Sequence, residues 1–229
     1  MDVRKINRIY STIVKSLSLL FIYCFICQAC TESGPTKQVK TESIEMYDMI
    51  ESNGEYTQGN LTFAESYVYD EDGKKLKHLI RQKDNSLQRE AYVYDGGKLK
   101  RSNYYDSNDS LLSYYIYEYK NDFISKRLAH EAASNELLRI DEYNYNASGQ
   151  LIKQYIKDAT GTINRTMAFG YDKDGNEIQV TIRDNGERVL LTEEFRILDV
   201  DVDKRWLERW SIDDDTPLTV RKRKLEYYD

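Results

Sequence analysis

Apolar and aromatic positions alternate with polar ones along most of the chain, and polar turns interrupt the alternation at regular intervals. Tyr67-Val68-Tyr69, Tyr92-Val93-Tyr94, Tyr117-Glu118-Tyr119, Tyr143-Asn144-Tyr145 and Phe169-Gly170-Tyr171 each set two rings two residues apart. On an extended strand that spacing is one face. Each pair runs into a polar turn: Asp70-Glu71-Asp72-Gly73, Asp95-Gly96-Gly97, Lys120-Asn121-Asp122, Asn146-Ala147-Ser148-Gly149 and Asp172-Lys173-Asp174-Gly175. The second ring falls at 69, 94, 119, 145 and 171, so the steps are 25, 25, 26 and 26 residues. A fixed period of this length marks a repeat architecture.

A second turn lies inside each period: Lys83-Asp84-Asn85-Ser86, Asp106-Ser107-Asn108-Asp109-Ser110, Ala133-Ser134-Asn135-Glu136, Asp158-Ala159-Thr160-Gly161 and Asp184-Asn185-Gly186-Glu187. A turn about every 12 residues leaves no room for a typical helix of about 11–12 residues; it reads as consecutive antiparallel strands, two per repeat. Gly supplies the positive φ of such turns, and Asp and Asn cap them with their own side chains. Ala147-Ser148-Gly149 is predicted to be a three-residue hairpin loop with Gly149 left-handed, which sets Tyr145 opposite Leu151. The predicted fold class is all-β, a curved antiparallel meander of tandem ~25-residue strand–turn repeats with about 12–14 strands. Strong curvature or partial closure is expected, because open twisted sheets seldom exceed about 10 strands. After residue 171 the repeat drifts. Asp201 to Arg209 forms a divergent copy, Asp213-Asp214-Asp215-Thr216-Pro217 a turn, and Val220 to Tyr228 a closing strand. Trp206 and Trp210 share a strand face by parity and are read as an end cap for the core.

The first thirty residues belong to another class of signal. Arg4, Lys5, Arg8 and Lys15 precede an apolar run from Ser16 to Ile26, and Cys27-Gln28-Ala29-Cys30 follows. The run is shorter than the roughly 20 residues that span a bilayer and fits the core of a signal peptide. Small Ala29 before Cys30 resembles the cleavage box of bacterial lipoproteins, whose cysteine becomes the lipid-modified first residue. The expected organisation is therefore a lipoprotein signal peptide at 1–29, a polar tether at 30–43 with Cys30 as the lipidation site, and a β-repeat domain at 44–229. All three cysteines, Cys24, Cys27 and Cys30, lie in the leader, so the body is stabilised by burial and pairing without disulfides.

Composition narrows the function classes. The leader carries four bases and one acid, so its removal shifts the balance from 33 basic against 39 acidic side chains to 29 against 38. Such an acidic balance gives no basic patch for nucleic acid. The expected address is the cell envelope, lipid-anchored to a membrane. The outer membrane is favoured, and the periplasmic or surface side is open.

Taken as a series, Tyr69-Asp70, Tyr94-Asp95 and Tyr171-Asp172, each followed by a Gly within a few residues, resemble the YD repeat of RHS-type proteins. They also resemble the small YD-repeat lipoproteins common in Bacteroidetes. The close, with Trp206 past a turn and a final charged strand ending Leu225-Glu226-Tyr227-Tyr228, is similar to those lipoproteins. The resemblance covers residues 60–229. It implies a spiralling sheet, too short here for a closed shell, and brings no biochemical activity with it. Tyr119-Lys120 and Tyr145-Asn146 depart from the dipeptide, so the Asp reads as turn chemistry.

Candidate sites are few. The aromatic pairs serve either as the core of the sheet or as a platform for a protein or glycan partner. Tyr67, Tyr92, Tyr117, Tyr143 and Phe169 would form one row of that platform, and Tyr69, Tyr94, Tyr119, Tyr145 and Tyr171 the other. Asp172, Asp174 and Asn176 hint at calcium, but Gly175 falls one place early for a helix–loop–helix calcium loop. His78 and His130 are the two histidines. Neither has a cysteine or second histidine at ligand spacing, so no metal and no cofactor is expected. No nucleophile elbow is present, and catalysis is not expected. The function expected is a non-catalytic envelope lipoprotein acting as a binding or scaffold module. The alternative is a glycan- or peptide-processing enzyme of the cell envelope.

Overall fold

The computed structural model describes residues 38–82, 86–213 and 215–228. The leader with Cys30, the turn residues 83–85 and Asp214 lie outside them. The described residues form fourteen strands and no helix. In chain order these are β1 (Val39–Ser52), β2 (Glu55–Tyr69), β3 (Lys75–Gln82), β4 (Leu87–Asp95), β5 (Lys98–Tyr105), β6 (Leu111–Lys120) and β7 (Phe123–Glu131). They continue with β8 (Leu137–Tyr145), β9 (Leu151–Asp158), β10 (Ile163–Tyr171), β11 (Glu177–Asp184), β12 (Val189–Val200), β13 (Trp206–Asp213) and β14 (Thr216–Tyr227). Each strand pairs antiparallel with its sequence neighbour, and β14 pairs with β1, so the sheet is a closed barrel. The expectation of an all-β antiparallel meander holds. Its partial closure, and the view that the repeats are too few to close, are corrected to full closure. β1 begins at Val39, so the folded domain starts inside the segment read as tether.

The turns explain both the Asp of the repeat and its spacing. Asp70, Asp106, Asn146, Asp158, Asp172, Asp184 and Asp201 each accept, on Oδ1, the backbone N–H groups two and four residues on. The backbone closes the same loop each time, as in Asp172 N–H to Asn176 O and Gly175 N–H to Asp172 O. The residue three places on takes a positive φ, 77° at Gly149 and 59° at Lys204. Tyr145 pairs with Leu151 as the sequence predicted.

Closure follows from a second repeated device. Tyr69 pairs with Lys75 and Val68 with Lys77, which leaves Leu76 as an extra residue. The same bulge recurs at Lys100, Ser125, Ile152, Ile178 and Leu207, always just after a Tyr-Asp type of turn. A bulge bends its strand and increases the right-handed twist. Bulges at Leu112, Leu138, Asn164, Leu190 and Leu218 do the same at the opposite rim; the two sets curl the sheet until β14 reaches β1, and closure removes the open edges. The bulge at Leu207 also resets parity. Trp206 is buried inside, while Trp210 lies on the outer face between Arg196 and Val220 in the pairing register. The two tryptophans therefore do not form one end cap.

Both ends of the described barrel lie at the rim of the first set of bulges. β1 starts there and β14 ends there, and Tyr228 N–H donates to Gln38 O. The turns at 70–74, 146–150, 172–176 and 201–205 share this rim. The turns at 53–54, 106–110, 158–162 and 184–188 form the opposite one.

Candidate functional site

Strand parity directs both aromatic rows into the barrel, and none of the ten rings is exposed. Tyr67, Tyr69, Tyr117 and Tyr143 are fully buried, with Tyr67 at 0% and Tyr69 at 1%. Tyr92, Tyr94, Tyr119, Tyr145, Phe169 and Tyr171 are half-buried. The platform reading is corrected to this extent: the rings line the inner wall, so they offer no exposed aromatic stripe.

The two rows have different jobs. In the second row Tyr69 donates to Glu42 at 2.7 Å, and three further hydroxyls latch neighbouring strands by donating to a backbone carbonyl beside the bulge. Tyr119 donates to Leu99 O at 3.0 Å, Tyr145 to Ile124 O at 3.0 Å and Tyr171 to Leu151 O at 2.8 Å. Each acceptor is the apolar residue that follows the turn of the preceding repeat, so the bond ties one repeat to the next. The Tyr94 hydroxyl engages the Lys75 backbone, and burial pushes it up to about 12.

The first row feeds a polar girdle inside the barrel. Tyr67 donates to Glu65 at 3.0 Å and Tyr92 to Glu90 at 2.9 Å. Between these carboxylates sits His78, with Nε2 3.0 Å from Glu65 and Nδ1 3.6 Å from Glu90. Its ring stacks on Tyr67 with centroids 4.2 Å apart. Burial by itself would lower the imidazole, but its bonds to Glu65 and Glu90 outweigh burial and hold His78 above its usual value. Burial likewise opposes the charge on Glu90, yet His78 and Ser102 hold that carboxyl below its usual value. Ser102 bridges on to the Tyr117 hydroxyl at 2.9 Å. Burial, followed by the nearby carboxylates, pushes Tyr67, Tyr92 and Tyr117 far up, so these phenols stay protonated donors. Further round, Arg127 donates through Nε and Nη2 to one oxygen of Asp141, at 2.9 and 2.7 Å. Arg139 Nε lies 3.2 Å from the other oxygen, and Asp141 is 0% exposed.

The strands that close the barrel carry a different interior. Arg209, 1% exposed, lies 3.9 Å over the Phe195 ring and 4.4 Å over Trp206, with Nη2 3.6 Å from Glu177. Arg221 pairs with Glu193 at 2.9 Å. Across the seam, Arg223 of β14 pairs with Glu42 of β1 at 2.8 Å. Buried carboxylate–guanidinium pairs satisfy charges that would otherwise be costly to remove from water.

Glu65, Glu90, Ser102, Arg127 and Asp141 were not singled out from the sequence. A signal existed: Glu65, Glu90 and Asp141 stand two residues before the first ring of a pair, so period-two parity sends them inward too. The partners His78, Ser102 and Arg127 were hidden because a bulge lies between each of them and the preceding turn. Asp172, weighed as a calcium ligand, has its carboxylate occupied by the amides of Asp174 and Asn176 and the side chain of Asn176. Among the described residues no group of three or more His, Cys, Asp or Glu is placed to hold a metal ion.

The outer face mixes charge with scattered apolar residues. Lys126, Glu142 and Lys157 form an ion-paired set across β7, β8 and β9, with Lys157 2.6 Å from Glu142. Lys157 holds the Glu142 carboxyl below its usual value. A shallow cleft of about 350 Å³ on β10–β12 is lined by Gly170, Ile178, Gln179, Glu194 and Arg196.

No protein-family model matches the chain, and no curated protein is similar to it in sequence. Solved structures resemble it in chain path. A porin-like protein from Bacteroides uniformis is 11% identical over 84% of this chain and 99% of its own, with a TM-score of 0.48. A porin-like protein from Bacteroides vulgatus is 13% identical over 84% of this chain and 99% of its own, with a TM-score of 0.44. The Tc holotoxin pore of Photorhabdus luminescens is 11% identical over 83% of this chain and 14% of its own, with a TM-score of 0.20. The assignment of a barrel rests on the strand pairing itself.

Proposed function

We propose that the chain is a YD-repeat lipoprotein of the cell envelope, acylated at Cys30, whose barrel is a non-catalytic binding or scaffold module standing in water beside the membrane. The observation that carries this reading is the mutual bonding of the acid–base groups in the girdle. The groups able to do acid–base or nucleophilic chemistry, His78, Glu65, Glu90 and Ser102, are bonded to one another and to tyrosines, within a wall that their bonding holds together. A partner therefore meets the outer face and the rims. That outer face supports a position in water. A lipid-spanning barrel shows an apolar band about 25 Å tall, and a lysine at its midplane costs roughly 2–4 kcal/mol. Here Lys126 and its partner Glu142 sit at outer positions within β7 and β8.

Two measurements test the proposal. Cys30→Ala is expected to release the protein into the soluble fraction or to leave an unprocessed precursor; unchanged mass and membrane association would overturn the anchor. Cross-linking of the native lipoprotein in envelope membranes is expected to trap a stoichiometric partner on the outer face. Turnover of a glycan or peptide substrate that Glu90→Gln abolishes would instead establish an enzyme.

A further inference from the structure

We propose that the rim of the first set of bulges is a bilayer-docking face, seated on the lipid surface through an apolar arc made by Ile152, Ile178, Leu198, Val200 and Val202. This inference rests on the acylation of Cys30 proposed above and adds how the barrel is oriented. Three observations carry it. Gln38, the first described residue, lies at this rim, and only eight Cα steps separate it from Cys30. At no more than about 3.6 Å per step the rim stays within roughly 29 Å of an acylated Cys30, so this end of the barrel faces the lipid.

The second observation is exposure. Val202, at the tip of the β12–β13 turn, is 96% exposed, and Leu198 and Val200 beside it are 44% and 43% exposed. A valine that open contributes almost no burial to the fold. The equivalent tip positions of sister turns on this rim are Glu71, Ala147 and Lys173. The acids flanking Val202 are already engaged, since Arg205 holds Asp201 at 2.6 Å and Asp203 at 2.9 Å.

The third observation is asymmetry. The bulge residues of β9 and β11 are Ile152 and Ile178, both exposed, and they continue the arc of β12. The same structural slot holds Leu76, also exposed, in β3, and Lys100 and Ser125 in β5 and β7. The slots of β9 and β11 are apolar beside Val202 while those of β5 and β7 are polar, which suits shallow insertion of this arc at the headgroup–acyl boundary. The commitment is to a lipid surface, because the short chain to Cys30 leaves that surface nearest the arc.

The test uses the acylated full-length protein reconstituted in phosphatidylcholine vesicles. Residues 31–229 contain no cysteine, so a single introduced thiol can be labelled specifically. A fluorophore at Val202→Cys is expected to lose most of its emission to spin-labelled lipid, while one at Asn108→Cys, on the opposite rim, loses none. Adding Leu198→Asp and Val200→Asp is expected to leave the protein on the vesicles and to abolish quenching at 202. Flotation with no quenching at 202 overturns the docking while the acylation stands. Flotation with no quenching at 202 and a cross-linked dimer through this arc overturns it in favour of self-association. Failure to float overturns the acylation, and the docking with it.

Discussion

The run from β2 to β10 and the closing strands β11 to β14 build the same barrel by different means. In the first region one unit is reused: a ring pair, a tight turn, a bulge and, in three copies, a tyrosine latch to the preceding repeat's carbonyl. In the second, buried arginines stack on Phe195 and Trp206 and pair with Glu177, Glu193 and Glu42. The difference follows from what each strand has to recognise. A strand inside the repeat meets a neighbour of its own kind, and a bond to backbone works whatever side chain the neighbour carries. At the seam β14 must find β1, which is remote in sequence and of different composition. There, specific opposite charges at fixed positions mark the partner and its register, because a slip by one residue would turn them outward.

The largest effect is expected at the closing strands. Arg209→Ala removes a fully buried guanidinium, uncovers the Phe195 and Trp206 rings and leaves Glu177 without its partner. A loss of about 3–5 kcal/mol is expected, seen as a fall in melting temperature of about 10 °C or more. A fall no greater than that of a latch variant would remove the contrast between the two regions.

Next comes Asp141→Asn, which keeps the shape but leaves Arg127 and Arg139 without their shared carboxylate. A loss of about 3 kcal/mol is expected by denaturant unfolding. It would show that the regular region also depends on an ionic node at Arg127 and Asp141.

A smaller effect should depend on pH. The folded value of His78 lies above its unfolded value, so the imidazolium's contribution is fully present below about 6.5 and is lost as pH rises through the folded value. The folded value of Glu90 is depressed, so its contribution is lost on the acid side, as pH falls through that value. Melting temperatures of the native protein and His78→Gln, followed from pH 5 to 9, should converge as the pH rises. A constant difference would mean that the ring acts by packing alone.

The smallest effect is expected from Tyr119→Phe, which deletes one latch and keeps the ring. About 1 kcal/mol is expected. Tyr145→Phe and Tyr171→Phe should add to it nearly independently, since the three latches share no partner. Strong non-additivity would show that the latches act as a network.

How much of this was legible can be argued from particular residues. The hairpin at Ala147 to Gly149 was readable because its geometry depends on local φ and on a neighbouring side chain. The Asp of Tyr69-Asp70 and of Tyr171-Asp172 was readable as turn chemistry for the same reason. The girdle was only half readable. Glu65, Glu90 and Asp141 keep parity with the ring pairs, whereas His78, Ser102 and Arg127 lie beyond a bulge that shifts parity by one. The pairing of Trp206 with Trp210 failed on the same shift.

The sequence alone therefore determined the strands, the turns, the period and the separation of the ring rows, because each depends on contacts within a few residues or on composition. Only the tertiary structure decided that the sheet closes, that the rings face a filled interior, and that Arg223 meets Glu42. Those outcomes depend on twist accumulated over fourteen strands and on bulges at both rims acting together, and no local window of the sequence contains that sum.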